Sequence, residues 1–556
     1  MQVARRIFPL LLVLALCPAA PIRAQLSRPR LIVLLVVDQM RADYIDNFSS
    51  QWTAGLRRLL AEGASFRQVE YPYFDTLTCP GHSTIATGTL PATHRMVLNV
   101  WWDPRKAAEV RCTQDDTTKF ISYGRTVRGS ADSAANLQVA TLADQLRAQS
   151  SPRARIISFS LKARAAIPLG GHHPDAVTWF DDAGTWVTSS AFTKAPVPPI
   201  ADFIRRHPVE ADFDEVWDRA APKDTYRYDA TAVGAVPGAH TASFPHALRG
   251  DSASPDPAFY ERWQTSPLSD RYLARMALDV VKQIYFDTAG GTNMIAIGFS
   301  ALDRVGHAFG PQSHEVQDTL LRLDVALGAL FAGLDDLIGA HNYTVALVSD
   351  HGVASIPEQA SSQALDAGRM TPPQLADEVD EVFRRVLGPG HYVAHVVSTH
   401  VYLNPGVLDM VNRRHALDAI RQGIRALPFV ADVYSQDQIS PAGADRAGTA
   451  AAIARSNDPQ RSGDLTIVLR PNWIAYAGAT THGTAYDYDT HVPLLLMGHG
   501  IRPGQYLQPA SPLDIAPTLA FLAGVTLPQA EGRVLREALF VTSAAPYVSR
   551  AFTTGR

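Results

Sequence analysis

The sequence predicts an α/β fold with a mostly parallel central sheet, helices on both faces, and inserted loop or cap segments. Three observations predict it. Runs such as Leu31-Ile-Val-Leu-Leu-Val-Val are apolar without alternation, as suits strands buried on both faces. Segments with helical periodicity recur between such runs. Several runs also stop at acidic or imidazole residues, placing chemistry at a carboxyl-terminal sheet edge, where open α/β folds gather their ligands.

Taken in order, the first strand is Leu31 to Val37, and it stops at Asp38. Next comes Phe74-Asp-Thr-Leu-Thr78-Cys79-Pro80-Gly81-His82-Ser83-Thr84. A hydroxyl just before Pro-Gly predicts a loop-to-helix junction, where free backbone N–H groups favour an anion. Read alone, Thr78 is a turn or N-cap residue; as a nucleophile its hydroxyl would need direct metal coordination. Arg155-Ile-Ile-Ser-Phe-Ser160 is a second strand, and Lys162 and Arg164 follow it on a segment expected to be extended or irregular. Two apart, they can converge on one anion, the guanidinium forming a bidentate pair; on their own they read as solvated surface charge.

A helix is expected over Arg271 to Ile284 and a strand over Asn293 to Ser300. Asp303 and His307 then stand at i and i+4, sharing one helix face, where they can grip one ion. A helix over His314 to Leu337 precedes the strand Tyr343 to Ser349, which delivers the adjacent pair Asp350-His351. Helices are expected at Pro373 to Leu387 and Arg414 to Leu427, and further sheet strands at His395 to Leu403 and Leu465 to Leu469. Thr481-His482-Gly483 precedes His491-Val-Pro-Leu-Leu-Leu-Met, a last buried strand. The run from Ser511 to Gly524 reads as an N-capped, Pro-interrupted helix packed on the sheet, with no catalytic role. Ala191 to Ile200, Asp251 to Pro257 and Pro441 to Asp464 read as loops. None of them marks a boundary between independent domains.

Composition narrows the function. At 556 residues, with 46% hydrophobic and 19% charged residues, the chain suits a large globular enzyme. A net charge of −4 provides no basic field for nucleic acid. Arg5 and Arg6 precede the apolar run Ile7 to Cys17, and Ile22-Arg-Ala24 stands before Gln25, so residues 1–24 are expected to be a secretory signal. The apolar run is shorter than the roughly 20 residues that span a bilayer. Export to the periplasm or beyond, without a stable membrane anchor, is therefore expected. Cys79 and Cys112 would remain, too few for a zinc–thiolate site; whether they bridge is left open.

The order Asp38, Thr78 in Thr-Cys-Pro-Gly-His, Asn99 in His94-Arg-Met-Val-Leu-Asn, Asp303 with His307, Asp350-His351 and His482-Gly resembles the alkaline phosphatase superfamily. The resemblance is to the phosphate-irrepressible, single-chain type with a threonine nucleophile, related to the type I phosphodiesterases and nucleotide pyrophosphatases. It implies a catalytic domain over 25–556 with insertions around 170–270 and 355–480. It also implies two zinc ions, one on Asp303, His307 and His482, the other on Asp38, Asp350 and His351 with the Thr78 oxygen. Mixed imidazole and carboxylate ligands suit zinc, although ligand types alone leave manganese, iron or calcium open at one site. Thr78 would carry a phosphothreonine intermediate, while Asn99, Lys162 and Arg164 hold the non-bridging oxygens of a monoester dianion. The expected partners are small-molecule phosphate monoesters and no nucleic acid, with the chain acting as a monomer. His482 is the expected ligand because His-Gly resembles the pyrophosphatase ligand, with His491 the alternative; His82, His94, His172 and His173 are expected to be structural or to orient ligands.

Three other readings compete. A diesterase of the same superfamily would lack the basic pair and leave room for a second ester group. A sulfatase would need an arginine after the cysteine, which Cys79-Pro-Gly-His-Ser does not supply. A secreted binding protein that kept the fold without catalysis would have to retain mutually repelling carboxylates around no metal. Trp179, Phe180, Trp186 and Trp217 either roof the site or pack internally.

Overall fold

The computed structural model describes residues 28–150, 153–228, 244–284, 291–439 and 447–540. The expected signal at 1–24 lies outside them, as do parts of the expected 170–270 and 355–480 insertions. Leu31–Val37 is the centre of the molecule. It pairs in parallel with Asn293–Phe299 on one side and Tyr343–Val348 on the other. Ile156–Ser160 and Ala176–Asp181 extend the parallel run beyond Asn293–Phe299. Among the described residues the sheet has eleven strands, with antiparallel members such as Leu494–Gly498 towards its margins.

The uniform hydrophobicity of the first strand has a direct structural cause. Leu31, Val33, Leu35 and Val37 pack into one core with the helices Gly55–Glu62, Pro267–Gln283 and His314–Ile338. Ile32, Leu34 and Val36 point the other way, into a second core with Thr78–Thr87 and Ile515–Ala523. Both faces are covered, so an alternating pattern would have exposed nothing to water and was never needed. The C-terminal helix is entered through Ser511, whose side chain accepts from the Leu513 N–H, and it contains Pro517.

Several expectations need correction. Leu465–Leu469 does not join the central sheet, and His395 to Leu403 is not one strand. Val393–Val397 turns through Ser398, at φ 56°, into the antiparallel strand His400–Leu403. With Leu465–Leu469 and Val430–Ser435 these form a separate four-stranded antiparallel sheet. It has its own apolar core against Pro372–Leu387 and Leu417–Arg425, so its buried strands resemble those of the main sheet in composition. The helix expected from Arg414 begins at Leu417, after a separate short helix, Val407–Arg413. The loop expected over Pro441 to Asp464 contains the helix Thr449–Ser456, and the one over Ala191 to Ile200 ends inside Pro198–Arg206. Small Ala-rich and Pro-initiated helices lack the long apolar stripe that made the others legible. Among the described residues no helix is long and apolar enough to cross a membrane.

Candidate active site

Four neighbouring parallel strands deliver the expected residues to one edge. Asp38 follows Leu31–Val37, and its N–H donates to the Phe299 carbonyl, 2.9 Å away. Asp350 and His351 follow Tyr343–Val348 after Ser349, and Lys162 follows Ile156–Ser160. Asn293–Phe299 leads into the helix Ala301–Phe309, which presents Asp303 and His307. Thr78 is the first residue of the helix Thr78–Thr87, at the loop-to-helix junction its sequence predicted. That helix can approach because residue 81 is glycine: a Cβ there would stand 2.4 Å from the Asp350 carbonyl oxygen.

The ligand-type side chains fall into two groups. Asp303, His307 and His482 form one, and Asp38, Asp350 and His351 the other; within each, the ligating atoms lie within 4.8 Å of one another. His307 Nε2 is 3.2 Å and His482 Nε2 3.7 Å from Asp303 Oδ1. His351 Nε2 is 3.4 Å from Asp38 Oδ1 and 3.2 Å from Asp350 Oδ2. The His351 and His482 rings stack at 3.5 Å, joining the groups, and Thr78 Oγ1 is 3.5 Å from His351 Nε2. Backbone carbonyls set the tautomers. His307 Nδ1 faces the Thr480 carbonyl, His351 Nδ1 that of Gly352 and His482 Nδ1 that of Thr76, at 2.8 to 2.9 Å. Each Nδ1 is thereby the donor, and each Nε2 turns toward the carboxylates. His491 lies elsewhere, its Nε2 3.1 Å from the Arg67 carbonyl.

Burial makes this cluster electrically demanding. Asp38 is pushed up to about 7 by burial first, then by Asp303 and Asp350, with Lys162 and His351 only partly offsetting them. Burial also opposes ionisation of Asp303 and Asp350. Lys162 and His307 outweigh it at Asp303, and His351 and His82 at Asp350, so both carboxyls sit well below the usual range. His351 is raised to about 9 because Asp350 and Asp38 override its own burial. The Lys162 ammonium, itself only 5% exposed, is held between Asp38 and Asp303. Asp38 Oδ1 and Asp350 Oδ2 are nonetheless buried without a hydrogen-bond partner. Three crowded carboxylates, three imidazoles with Nε2 turned toward them and two orphaned oxygens fit divalent cations.

The anion-binding candidates line a chamber of about 650 Å³ that includes Asn99, Lys162 and Arg164. Arg164 is not on an extended segment; it lies in the first turn of the helix Ala163–Gly170, with Lys162 at the N-cap. Asn99 Oδ1 accepts from the N–H of Cys79, at 2.8 Å, and so sits beside Thr78. Cys79 and Cys112 form a disulfide. Trp186 and Trp217 are buried in the core, whereas Trp179 and Phe180, though buried, also line the chamber. His82 Nδ1 is 3.1 Å from Asp350 Oδ2, and His172 pairs with Asp144 at 2.7 Å. Burial, with Arg461 adding to it, lowers His94 to about 3, and its Nδ1 accepts from the Met96 N–H.

Two further residues were invisible to pattern reading. Gln39, at φ 67°, donates its backbone N–H to Asp350 Oδ1 at 3.1 Å and its side-chain amide to Asp303 Oδ1 at 2.8 Å, bridging the two groups. Gly306 makes space for that amide, since a Cβ would stand 1.8 Å from Gln39 Oε1. Asp489 accepts from the N–H groups of Gly483 and Thr484 and fixes the loop carrying His482. The position of Gln39 after Asp38 and the repeated acid in Asp487-Tyr-Asp489 were the only signals available.

Comparison with known proteins identifies the family and the fold. The pattern of the type I phosphodiesterase / nucleotide pyrophosphatase family matches residues 32–492. The alkaline phosphatase PhoV of Synechococcus elongatus is 31% identical over 92% of this chain and 93% of its own. Alkaline phosphatase PafA of Elizabethkingia meningoseptica is 31% identical over 92% and 95%. The crystal structure of wild-type PafA superposes with a TM-score of 0.81 at 29% identity, covering 92% of this chain and 99% of that one.

Proposed function

The chain belongs to the type I phosphodiesterase / nucleotide pyrophosphatase family within the alkaline phosphatase superfamily, and on that premise we propose that it is an exported phosphatase hydrolysing small-molecule phosphate monoesters through Thr78. One observation carries the reading. The Thr78 hydroxyl opens a helix beside His351 of one ligand group, and the adjoining chamber holds Asn99, Lys162 and Arg164.

Asp303, His307 and His482 would hold one zinc ion, and Asp38, Asp350 and His351 the other. Zinc there would lower the pKa of the Thr78 hydroxyl and neutralise charge on the leaving oxygen. Were Asp38 and Asp303 engaged as ligands, Lys162 would be released from them and would turn its ammonium to the phosphate beside Arg164 and the Asn99 amide. A monoester dianion gains more from these donors than a diester monoanion, because its extra charge lies on the oxygens they contact. The Thr78 hydroxyl gives up its proton to water, Oγ attacks phosphorus, the bond to the leaving oxygen breaks, and the released alkoxide takes a proton back from water. Water then attacks the phosphothreonine, the P–Oγ bond breaks, and Thr78 regains its proton as inorganic phosphate departs. Gln39 and the three backbone carbonyls hold the ligand side chains in register throughout.

The test is steady-state hydrolysis of an aryl phosphate monoester beside the matched diester, on signal-free protein with zinc and after chelation. Monoester turnover should dominate, require the metal, and collapse in Thr78→Ala. A preference for the diester would overturn the role given to Lys162 and Arg164. Stoichiometric zinc with neither ester turned over would favour a binding protein.

A further inference from the structure

The separate antiparallel sheet presents two faces. Val401, Leu403, Leu465 and Ile467 point into its own core with the helices Pro372–Leu387 and Leu417–Arg425. Residues alternating with these face the segment that leads into the nucleophile helix. Val397 and Tyr402 pack with Leu77 and Cys79, and Val468 packs with Phe74. Apolar contacts of this kind are non-directional, so they cover the segment without fixing where its atoms stand. A polar contact on the same face is directional. His400 Nε2 lies 2.8 Å from Asp75 Oδ1, and both side chains are buried. The Gly463 N–H donates to His400 Nδ1 at 3.3 Å, so the ring proton is on Nε2 and the imidazole donates to Asp75. Asp75 Oδ2 is buried without a hydrogen-bond partner, which leaves His400 as the one anchor of this carboxyl among the described residues. Desolvation offsets most of the stability such a buried pair can add, so what the pair supplies is geometry.

The place of Asp75 in the chain says what is held. The Phe74 carbonyl accepts from the Thr76 N–H and the Asp75 carbonyl from the Leu77 N–H, each at 2.9 Å, so residues 74–77 form two overlapping three-residue turns. Thr76 follows Asp75 directly. Its carbonyl accepts from His482 Nδ1 at 2.8 Å, and its hydroxyl donates to the Thr484 carbonyl at 2.7 Å. Leu77 accepts the Gly81 N–H at 2.9 Å, and Thr78 opens the nucleophile helix. The same short turn therefore carries the nucleophile and the carbonyl that orients His482, and Asp75 is the point at which the separate sheet grips it.

We propose that His400 is a positioning residue acting through Asp75, so that the separate sheet sets both the placement of Thr78 and the orientation of His482 while supplying no ligand of its own. This rests on the reading of Asp303, His307 and His482 as a zinc site and extends it to a second layer of residues. Loss of the pair frees the Thr76 carbonyl to shift, and His482 then loses the partner that fixes its tautomer.

The experiment compares wild type with His400→Ala, His400→Gln and Asp75→Ala/His400→Ala. It reads zinc affinity by competition with a chelator, stability by denaturant titration, and turnover of an aryl phosphate at saturating zinc. His400→Ala should weaken one of the two zinc ions about 10–100-fold and leave the other within about twofold. Its kcat should fall about tenfold or more with KM within about threefold, because the nucleophile is misplaced while the phosphate donors remain. His400→Gln keeps a donor for Asp75 and an acceptor for Gly463, and should restore most of both. The double variant removes both buried polar partners, so it should regain stability over His400→Ala without regaining zinc affinity. Zinc affinity that follows stability across the series, or that is unchanged in all three variants, overturns the proposal. If wild type binds no zinc, the metal reading has failed, and amide exchange of the metal-free protein decides the positioning. His400→Ala should then speed exchange at Leu77, Gly81 and Thr484; faster exchange confined to the separate sheet overturns it.

Discussion

Lys162 shows how one residue can serve two electrostatic states. Its ammonium lies between Asp38 and Asp303, although the proposed role is to hold a phosphate oxygen. Both follow from one cause, since three buried carboxylates recruit whatever cation is within reach. Replacing Lys162 and Arg164 together by Ala should depress monoester turnover far more than diester turnover, as parallel kcat/KM measurements would show; equal losses would mean that neither residue reads the extra charge of the monoester. Gln39 acts differently, because it touches a carboxylate in each group and contributes no ligand atom of its own. Gln39→Ala keeps the N–H to Asp350 but loses the amide to Asp303. Residues that orient ligands in this way typically change metal affinity about 10–100-fold on mutation. Competition with a chelator should show a loss in that range, and an unchanged affinity would reduce Gln39 to packing.

At the scale of elements, the nucleophile helix is tied down at its first turn. Cys79, next to Thr78, is bonded to Cys112, 33 residues away, and Asn99 within that loop accepts from the Cys79 N–H. Closing a loop of this length stabilises a fold by about 3–4 kcal/mol in the chain-entropy picture. Cys79→Ala/Cys112→Ala should lose stability of that order by denaturant titration, with turnover falling further as Thr78 loses its anchor; a loss below about 1 kcal/mol would show that the helix needs no such tether. The elements visible in the sequence were those whose burial is uniform or periodic. Leu31–Val37, Asn293–Phe299 and Tyr343–Val348 are covered on both faces, so their hydrophobicity is continuous, and their carboxyl ends could be read for chemistry. The same logic misplaced Leu465–Leu469, because a strand in a separate antiparallel sheet with its own core is just as apolar. Arg164 was read as extended because a helix of only eight residues directly after a strand leaves too little period to detect. Gln39 and Asp489 were missed because a left-handed backbone and hydrogen bonds that fix a neighbouring loop are properties of the folded neighbourhood, not of a motif.

For the whole molecule, the site links metal, protons and folding. In the metal-free ligand cluster Asp38 and His351 are held above their ordinary values: Asp38 is raised by burial and its carboxylate neighbours to about 7, and His351 to about 9 by Asp350 and Asp38 against its own burial. A raised pKa means that the folded state binds more protons than the unfolded chain between the two values, so stability falls as pH rises through that interval. For Asp38 the interval runs from 3.8 to about 7, and for His351 from 6.5 to about 9. The metal-free protein should therefore melt at a lower temperature at pH 9.5 than at pH 6.5. Bound divalent cations require those same groups deprotonated, so they replace the protons and reverse the dependence. Metal at about 100 times its dissociation constant adds about 2.7 kcal/mol, provided the unfolded chain does not bind it. Melting curves of chelated and zinc-loaded protein at both pH values should then diverge, with the gap larger at pH 9.5. Parallel curves would mean that Asp38, Asp350 and His351 do not bind the ion, and would remove the cluster as a metal centre while leaving the fold untouched.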